Sequence, residues 1–217
     1  MTDVVSSLFV GISQIVIGHP FDTIKVLIQN KKKWKGLPIK KYYKGWRYPL
    51  TESLIFNMTV FPINERVYKY TNSYFASGLI SGTCVFPSAY LFNFYKINKQ
   101  VKCEPKLQNL LGFKGGVPLL CREMLAMSVY FGSYHKAKEN GINTLLSGGI
   151  AGGINWTLTY PLDVLMSRQI AQQISIKQAF NQKNLWKGYP VCLTRAILVN
   201  SVNFYVYEKA KNILKKF

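Results

Sequence analysis

Acidic residues are scarce in this chain. Nine Asp and Glu stand against 28 Lys and Arg over 217 residues, which leaves a formal net charge of +19. Such a balance excludes indifference to charge and points to acidic or anionic surroundings. Histidine is scarcer still, with two residues and no His-Glu-x-x-His string, so a helix-borne zinc site is excluded. The four cysteines, Cys84, Cys103, Cys121 and Cys192, lie too far apart for a disulfide framework or zinc spacing and fit a reduced compartment. A glycine-rich phosphate loop, a nucleophile elbow and a cysteine-histidine cluster are also missing, so no enzyme, cofactor or metal is expected. Charged residues of both signs make up only 17%, against 48% hydrophobic and 14% aromatic, which excludes a disordered basic tail. The amino terminus shows no basic region leading into a short apolar core and a small-residue cleavage site, so no removable signal is expected.

What is present is a series of long apolar blocks with lysines gathered between them, the way a membrane protein distributes its charge. Crossing ~30 Å of hydrocarbon takes roughly 20 helical residues. Six stretches are long enough, at about 4–29, 48–70, 73–97, 116–138, 142–172 and 189–213. Each carries some polar residues, in keeping with a mean hydropathy of only +0.04 and with helices that turn one face from lipid. Six crossings put both termini on one side. Two of the three connections on the other side hold the densest charge, Lys31, Lys32, Lys33, Lys35, Lys40, Lys41 and Lys44 in one and Lys96, Lys99, Lys102, Lys106 and Lys114 in the next. By the positive-inside bias that side is the inner one.

Internal repetition is the most specific signal. An aromatic-Lys-Gly triplet recurs as Tyr43-Lys44-Gly45, Phe113-Lys114-Gly115 and Trp186-Lys187-Gly188, 70 and 73 residues apart. Prolines at Pro20, Pro87 and Pro161 precede those glycines by 25, 28 and 27 residues. Proline inside a helix removes a backbone hydrogen bond and kinks it, so three in register would draw three helix ends together. Twenty residues beyond each glycine stand Glu65, His135 and Glu208. Three copies of a two-helix unit is the economical reading.

The strings Pro20-Phe-Asp22-Thr-Ile-Lys25 and Pro161-Leu-Asp163-Val-Leu-Met166-Ser-Arg168, with the three aromatic-Lys-Gly triplets, give the chain its resemblance to the mitochondrial carrier family over essentially its whole length. That resemblance implies an all-α membrane protein, one transporter domain over 1–217 with repeats about 1–72, 73–140 and 141–217. It implies six transmembrane helices in three pseudo-symmetric two-helix repeats, with short inner-side amphipathic helices around 36–43, 106–112 and 175–184. Repeat two, read from Pro87, has Ala89 and Phe92 where the motif wants an acid and a base, and repeat three has Met166 for the base. The inner gate implied is therefore Asp22, Lys25 and Asp163, with at most one strong bridge between repeats, Lys25 to Asp163, and with packing of Phe92 and Met166 for the rest. The outer gate implied comprises Glu65, His135, Lys138, Glu208 and Lys211. In that family the ligand is read seven and eight residues beyond each repeat glycine, which here gives Glu52-Ser53, Arg122-Glu123 and Arg195-Ala196. The substrate-binding set expected is Glu52, Arg122, Glu123 and Arg195.

The function implied is secondary transport of a small charged metabolite across the mitochondrial inner membrane by exchange. The substrate is read as amino-acid-like or zwitterionic, with arginine on its carboxylate and Glu123 on its amino group. A nucleotide or deoxynucleotide carrier is the alternative, since net +19 would attract polyanions. A non-transporting membrane scaffold is the remote one. Expected partners are the substrate and membrane lipid, including anionic lipid, with no nucleic acid and a monomeric state. Close small residues at Gly78 and Gly82, and at Gly148, Gly149, Gly152 and Gly153, are expected to pack helices. His19 is assigned no site.

Overall fold

A computed structural model describes residues 2–101 and 103–199, and no strand occurs among them. Three long helices each lead into a short one. These are α1 (Thr2–Gln29) and α2 (Ile39–Tyr42), α4 (Tyr74–Val101) and α5 (Leu107–Leu111), and α7 (Thr144–Gln172) and α8 (Ile176–Asn181). Each pair is followed by a helix that starts at or just after an aromatic-Lys-Gly triplet: α3 (Arg47–Thr71), α6 (Gly116–Glu139) and α9 (Tyr189–Val199). All nine begin within about three residues of where hydropathy and the triplets place them. The outer part of the last expected span, with Glu208 and Lys211, lies outside the described residues.

Each triplet glycine occupies the left-handed region, Gly45 at φ 85°, Gly115 at 82° and Gly188 at 90°. An L side chain is strained there, so glycine turns the chain from short helix into long helix. The prolines Pro20, Pro87 and Pro161 lie inside α1, α4 and α7, as read from the sequence, and Pro62 lies inside α3 as well.

The core runs along α4, α6 and α7, through Val85, Phe94, Ile97, Leu119, Phe131, Met166 and Ile170. Helices α4 and α6 meet backbone to backbone. A Cβ at Gly82 would fall 2.4 Å from the Glu123 carbonyl oxygen, and one at Gly78 would fall 2.5 Å from Ser128 Cα. Small residues therefore fix where Glu123 sits. Cβ atoms at Gly148, Gly149, Gly152 and Gly153 would meet no described atom within 4 Å. Arg168 is fully buried and donates to the carbonyls of Gln29, Ala179 and Asn184, so its charge meets the end of α1 and the α8 region. Among the described residues, Tyr74–Val101 is the one helix long and apolar enough to cross a membrane by length and composition.

Candidate functional site

A cavity of 150 Å³ opens between the long helices and is lined by Asp22, Lys25, Glu52, Lys96, Arg122, Asp163 and Arg195. Counting the six long helices alone, α1, α4 and α7 are the odd-numbered ones and α3, α6 and α9 the even-numbered ones, and two ion pairs join the odd-numbered set. Lys25 Nζ lies 2.8 Å from Asp163 Oδ2, with side chains 9% and 4% exposed, and Lys96 Nζ donates to Asp22 Oδ2 at 3.1 Å. Trp156 and Tyr160 present ring faces to Lys25 Nζ at 4.9 and 5.6 Å. Gln29 Nε2 braces the first pair by donating to Asp163 Oδ2 at 2.9 Å.

The second pair corrects the sequence reading, which allowed one bridge and gave Lys96 no role. Helix α4 is in register with α1 and α7 one turn later than Pro87 suggests. Its string is Leu91-Phe-Asn93-Phe-Tyr-Lys96-Ile-Asn-Lys-Gln100, beside Pro20-Phe-Asp22-Thr-Ile-Lys25-Val-Leu-Ile-Gln29. Two further sets of contacts support that register. The residue before each register start donates to the carbonyl of a triplet lysine: His19 to Lys44 at 3.1 Å, Tyr90 to Lys114 at 3.3 Å and Tyr160 to Lys187 at 3.0 Å. Each triplet glycine also packs on a neighbouring helix at the base position. Built Cβ atoms at Gly188, Gly45 and Gly115 would lie 3.6, 3.6 and 3.0 Å from the carbonyl oxygens of Lys25, Lys96 and Met166. Ala89 and Phe92 are therefore not the vacated motif positions. Those are Asn93, for an acid, and Met166, for a base.

The even-numbered helices repeat one relation three times. The residue seven beyond each triplet glycine reaches the acid position of the next odd-numbered helix. Arg122 Nη1 donates to Asp163 Oδ1 at 2.9 Å, Arg195 Nε lies 2.7 Å from Asp22 Oδ1, and Glu52 Oε1 accepts from Asn93 Nδ2 at 2.8 Å. Arg122 is also ion-paired through Nη2 to its neighbour Glu123, which is buried. The Arg195 contact is ionic without a hydrogen bond, because its Nε–H has no acceptor. Glu52 has no cation within ion-pair distance among the described residues; its partner is the Asn93 amide. The lining carries four cations, Lys25, Lys96, Arg122 and Arg195, against three carboxylates, Asp22, Glu52 and Asp163, and the buried Glu123, paired to Arg122 behind the lining, brings the set to balance.

The structure thus brings together Asp22, Lys25, Asp163, Glu52, Arg122, Glu123 and Arg195, and adds Lys96 and Asn93. It does not bring the described outer residues together. Glu65 and Lys138 are exposed and have no ion pair among the described residues. Lys138 Nζ sits over the Tyr134 ring at 5.8 Å, and His135 stacks on Tyr74, which in turn stacks on Tyr68.

Long helices thus surround a charged cavity and are tied to one another by ion pairs. A family model described as mitochondrial carrier protein matches residues 138–217. Solute carrier family 25 member 45 of Mus musculus is 23% identical in an alignment covering 91% of this chain and 93% of that protein. The glutamate/glycine mitochondrial carrier ymc1 of Schizosaccharomyces pombe is 24% identical over 91% of this chain and 89% of its own length. Mitochondrial ornithine transporter 1 of the same yeast is 27% identical, covering 89% and 86%. The chain is therefore similar to mitochondrial carriers, over 91% of its length in the first two of these alignments.

Proposed function

We propose that this chain exchanges a small, net-neutral, amino-acid-like zwitterion across the mitochondrial inner membrane through one central site. The observation that carries the reading is the charge balance of the cavity. With Glu123 counted, four cations and four carboxylates cancel, yet one group of each sign is engaged by a single partner among the described residues, Arg195 by Asp22 and Glu52 by the Asn93 amide. Arg195, with Arg122, receives the substrate carboxylate, and Glu52 receives the ammonium group. The resemblance gave the ammonium to Glu123, but that carboxylate is already held by Arg122. Burying a polyanion here would leave most of its charge unanswered, which disfavours a nucleotide. The names of the relatives, glutamate/glycine and ornithine carriers, support an amino-acid-like substrate.

The same geometry supports a cycle. In the fold proposed, six spans form three repeats of about 1–72, 73–140 and 141–217 around the cavity. The pairs Lys25–Asp163 and Lys96–Asp22 form the inner gate, while Glu65, His135 and Lys138, with Glu208 and Lys211 outside the described residues, form the outer one. The inner pairs made among the described residues support an outward-open state. A substrate carboxylate competes with Asp22 and Asp163 for their arginines, which frees the contacts of α9 to α1 and of α6 to α7 as it binds. Lys32, Lys33, Lys41 and Lys44 line a groove floored by Leu27, Leu37 and Val101, which supports an anionic lipid against a monomeric carrier.

Reconstitution tests this. Liposomes carrying the full-length protein and loaded with glycine should take up labelled glycine, and empty ones should not. Uptake of labelled ADP with glycine refused would overturn the reading.

A further inference from the structure

Asn93 stands where α1 and α7 carry Asp22 and Asp163, and it is buried. One amide N–H goes to the Ala89 carbonyl at 2.9 Å and the other to Glu52 Oε1 at 2.8 Å. On α1 and α7 the residue that reaches this position from an even-numbered helix is an arginine, and the position holds an aspartate. On α4 the residue that reaches it is the acid Glu52. An aspartate at 93 would set two carboxylates at hydrogen-bond distance, where both cannot stay ionised. The base that would answer such an acid, at the position of Lys25 and Lys96, is Met166, which lines the same cavity. An acid and a base are thus absent as a pair, and the neutrality of the cavity survives their loss. The pattern follows from Glu52, since an acid there requires a donor at 93 and removes the need for a cation at 166.

We propose that Asn93 is a specificity-determining residue: it holds Glu52 by hydrogen bond as the ammonium acceptor and, with Met166, sets the cavity charge that selects a net-neutral substrate. This rests on the transport reading given above. One Glu52 oxygen is tied to Asn93, and the carboxylate keeps lone pairs for a substrate N–H. Asn93 acts through Glu52, so it is a positioning residue, and selectivity rather than rate is the property it moves. Substrate charge is discriminated by the sum of fixed charges as much as by contacts, because a ligand that restores neutrality avoids an uncompensated buried ion.

The test uses labelled glycine (net zero), ornithine (net positive) and glutamate (net negative) in proteoliposomes of full-length protein. Asn93→Asp adds an acid that shares a proton with Glu52 until a cationic substrate enters and ionises both, and it should raise the ornithine-to-glycine uptake ratio about tenfold. Met166→Lys alone makes the cavity positive and should raise the glutamate-to-glycine ratio to a similar extent, a check that stands even if Asn93→Asp folds poorly. The double variant is neutral again, and both ratios should return toward wild type. Asn93→Ala leaves the charge alone and should raise KM for all three without moving the ratios. Glycine uptake by wild type with ratios unmoved in both single variants overturns the role of Asn93 while leaving the transport reading intact. Wild-type refusal of every zwitterion overturns the transport reading itself and this inference with it.

Discussion

Lys96 Nζ lies 3.1 Å from Asp22 Oδ2, tying α4 to α1 as Lys25 ties α1 to Asp163 on α7. Two of three interhelical links are therefore charged, and the third, at Asn93 and Met166, carries no charge. Breaking a buried pair from one side costs roughly 3–5 kcal/mol. Lys96 and Asp22 keep 14% and 15% exposure, so about 1–2 kcal/mol is a fairer figure after solvent screening. Lys96→Met should raise inner-side labelling of a cavity cysteine roughly tenfold. Phe92→Lys, one turn away, should leave that rate near wild type.

Arg122 and Arg195 should separate stability from transport. Arg122 answers two buried carboxylates, Asp163 and Glu123, and its removal leaves both short of a cation. Arg122→Ala should therefore lower the melting temperature markedly, by roughly 3 kcal/mol of stability or more. Arg195 makes one ionic contact without a hydrogen bond. Arg195→Ala should abolish uptake with a loss of about 1 kcal/mol or less. Thermal-shift and uptake measurements on the same two preparations check the split.

Backbone contact between α4 and α6 sets how close the Glu123 turn of α6 lies to α4. A methyl at Gly82 would fall 2.4 Å from the Glu123 carbonyl oxygen, and backbone cannot step aside as a side chain can. Gly82→Ala should cost roughly 1–3 kcal/mol through overpacking. Thr83, next along the helix, is exposed, and Thr83→Ala should shift the midpoint by less than about 0.5 kcal/mol. Denaturation midpoints decide the order.

Helix positions were legible because hydropathy and the three aromatic-Lys-Gly triplets mark them independently. The register of α4 was not. Pro87 is the more visible residue, while the matching string around Leu91 lacks a proline and carries an amide for an acid. Phe92, Lys96 and Gln100, at the spacings of Phe21, Lys25 and Gln29, were the available signal. Glu52, Arg122 and Arg195 were legible as a set from their distance to the triplets. Their partners were not, because contact between an even-numbered helix and the next odd-numbered one depends on packing that no local pattern encodes. The ion pair that holds Glu123 to Arg122 was likewise not legible from their adjacency in sequence.

The sharpest measurement is exchange of labelled glycine by Glu52→Gln in proteoliposomes, beside wild type. Losing the ammonium's charge-assisted partner removes roughly 1–3 kcal/mol, so uptake should fall between about fivefold and 150-fold. Unchanged or faster glycine exchange by Glu52→Gln would contradict the account.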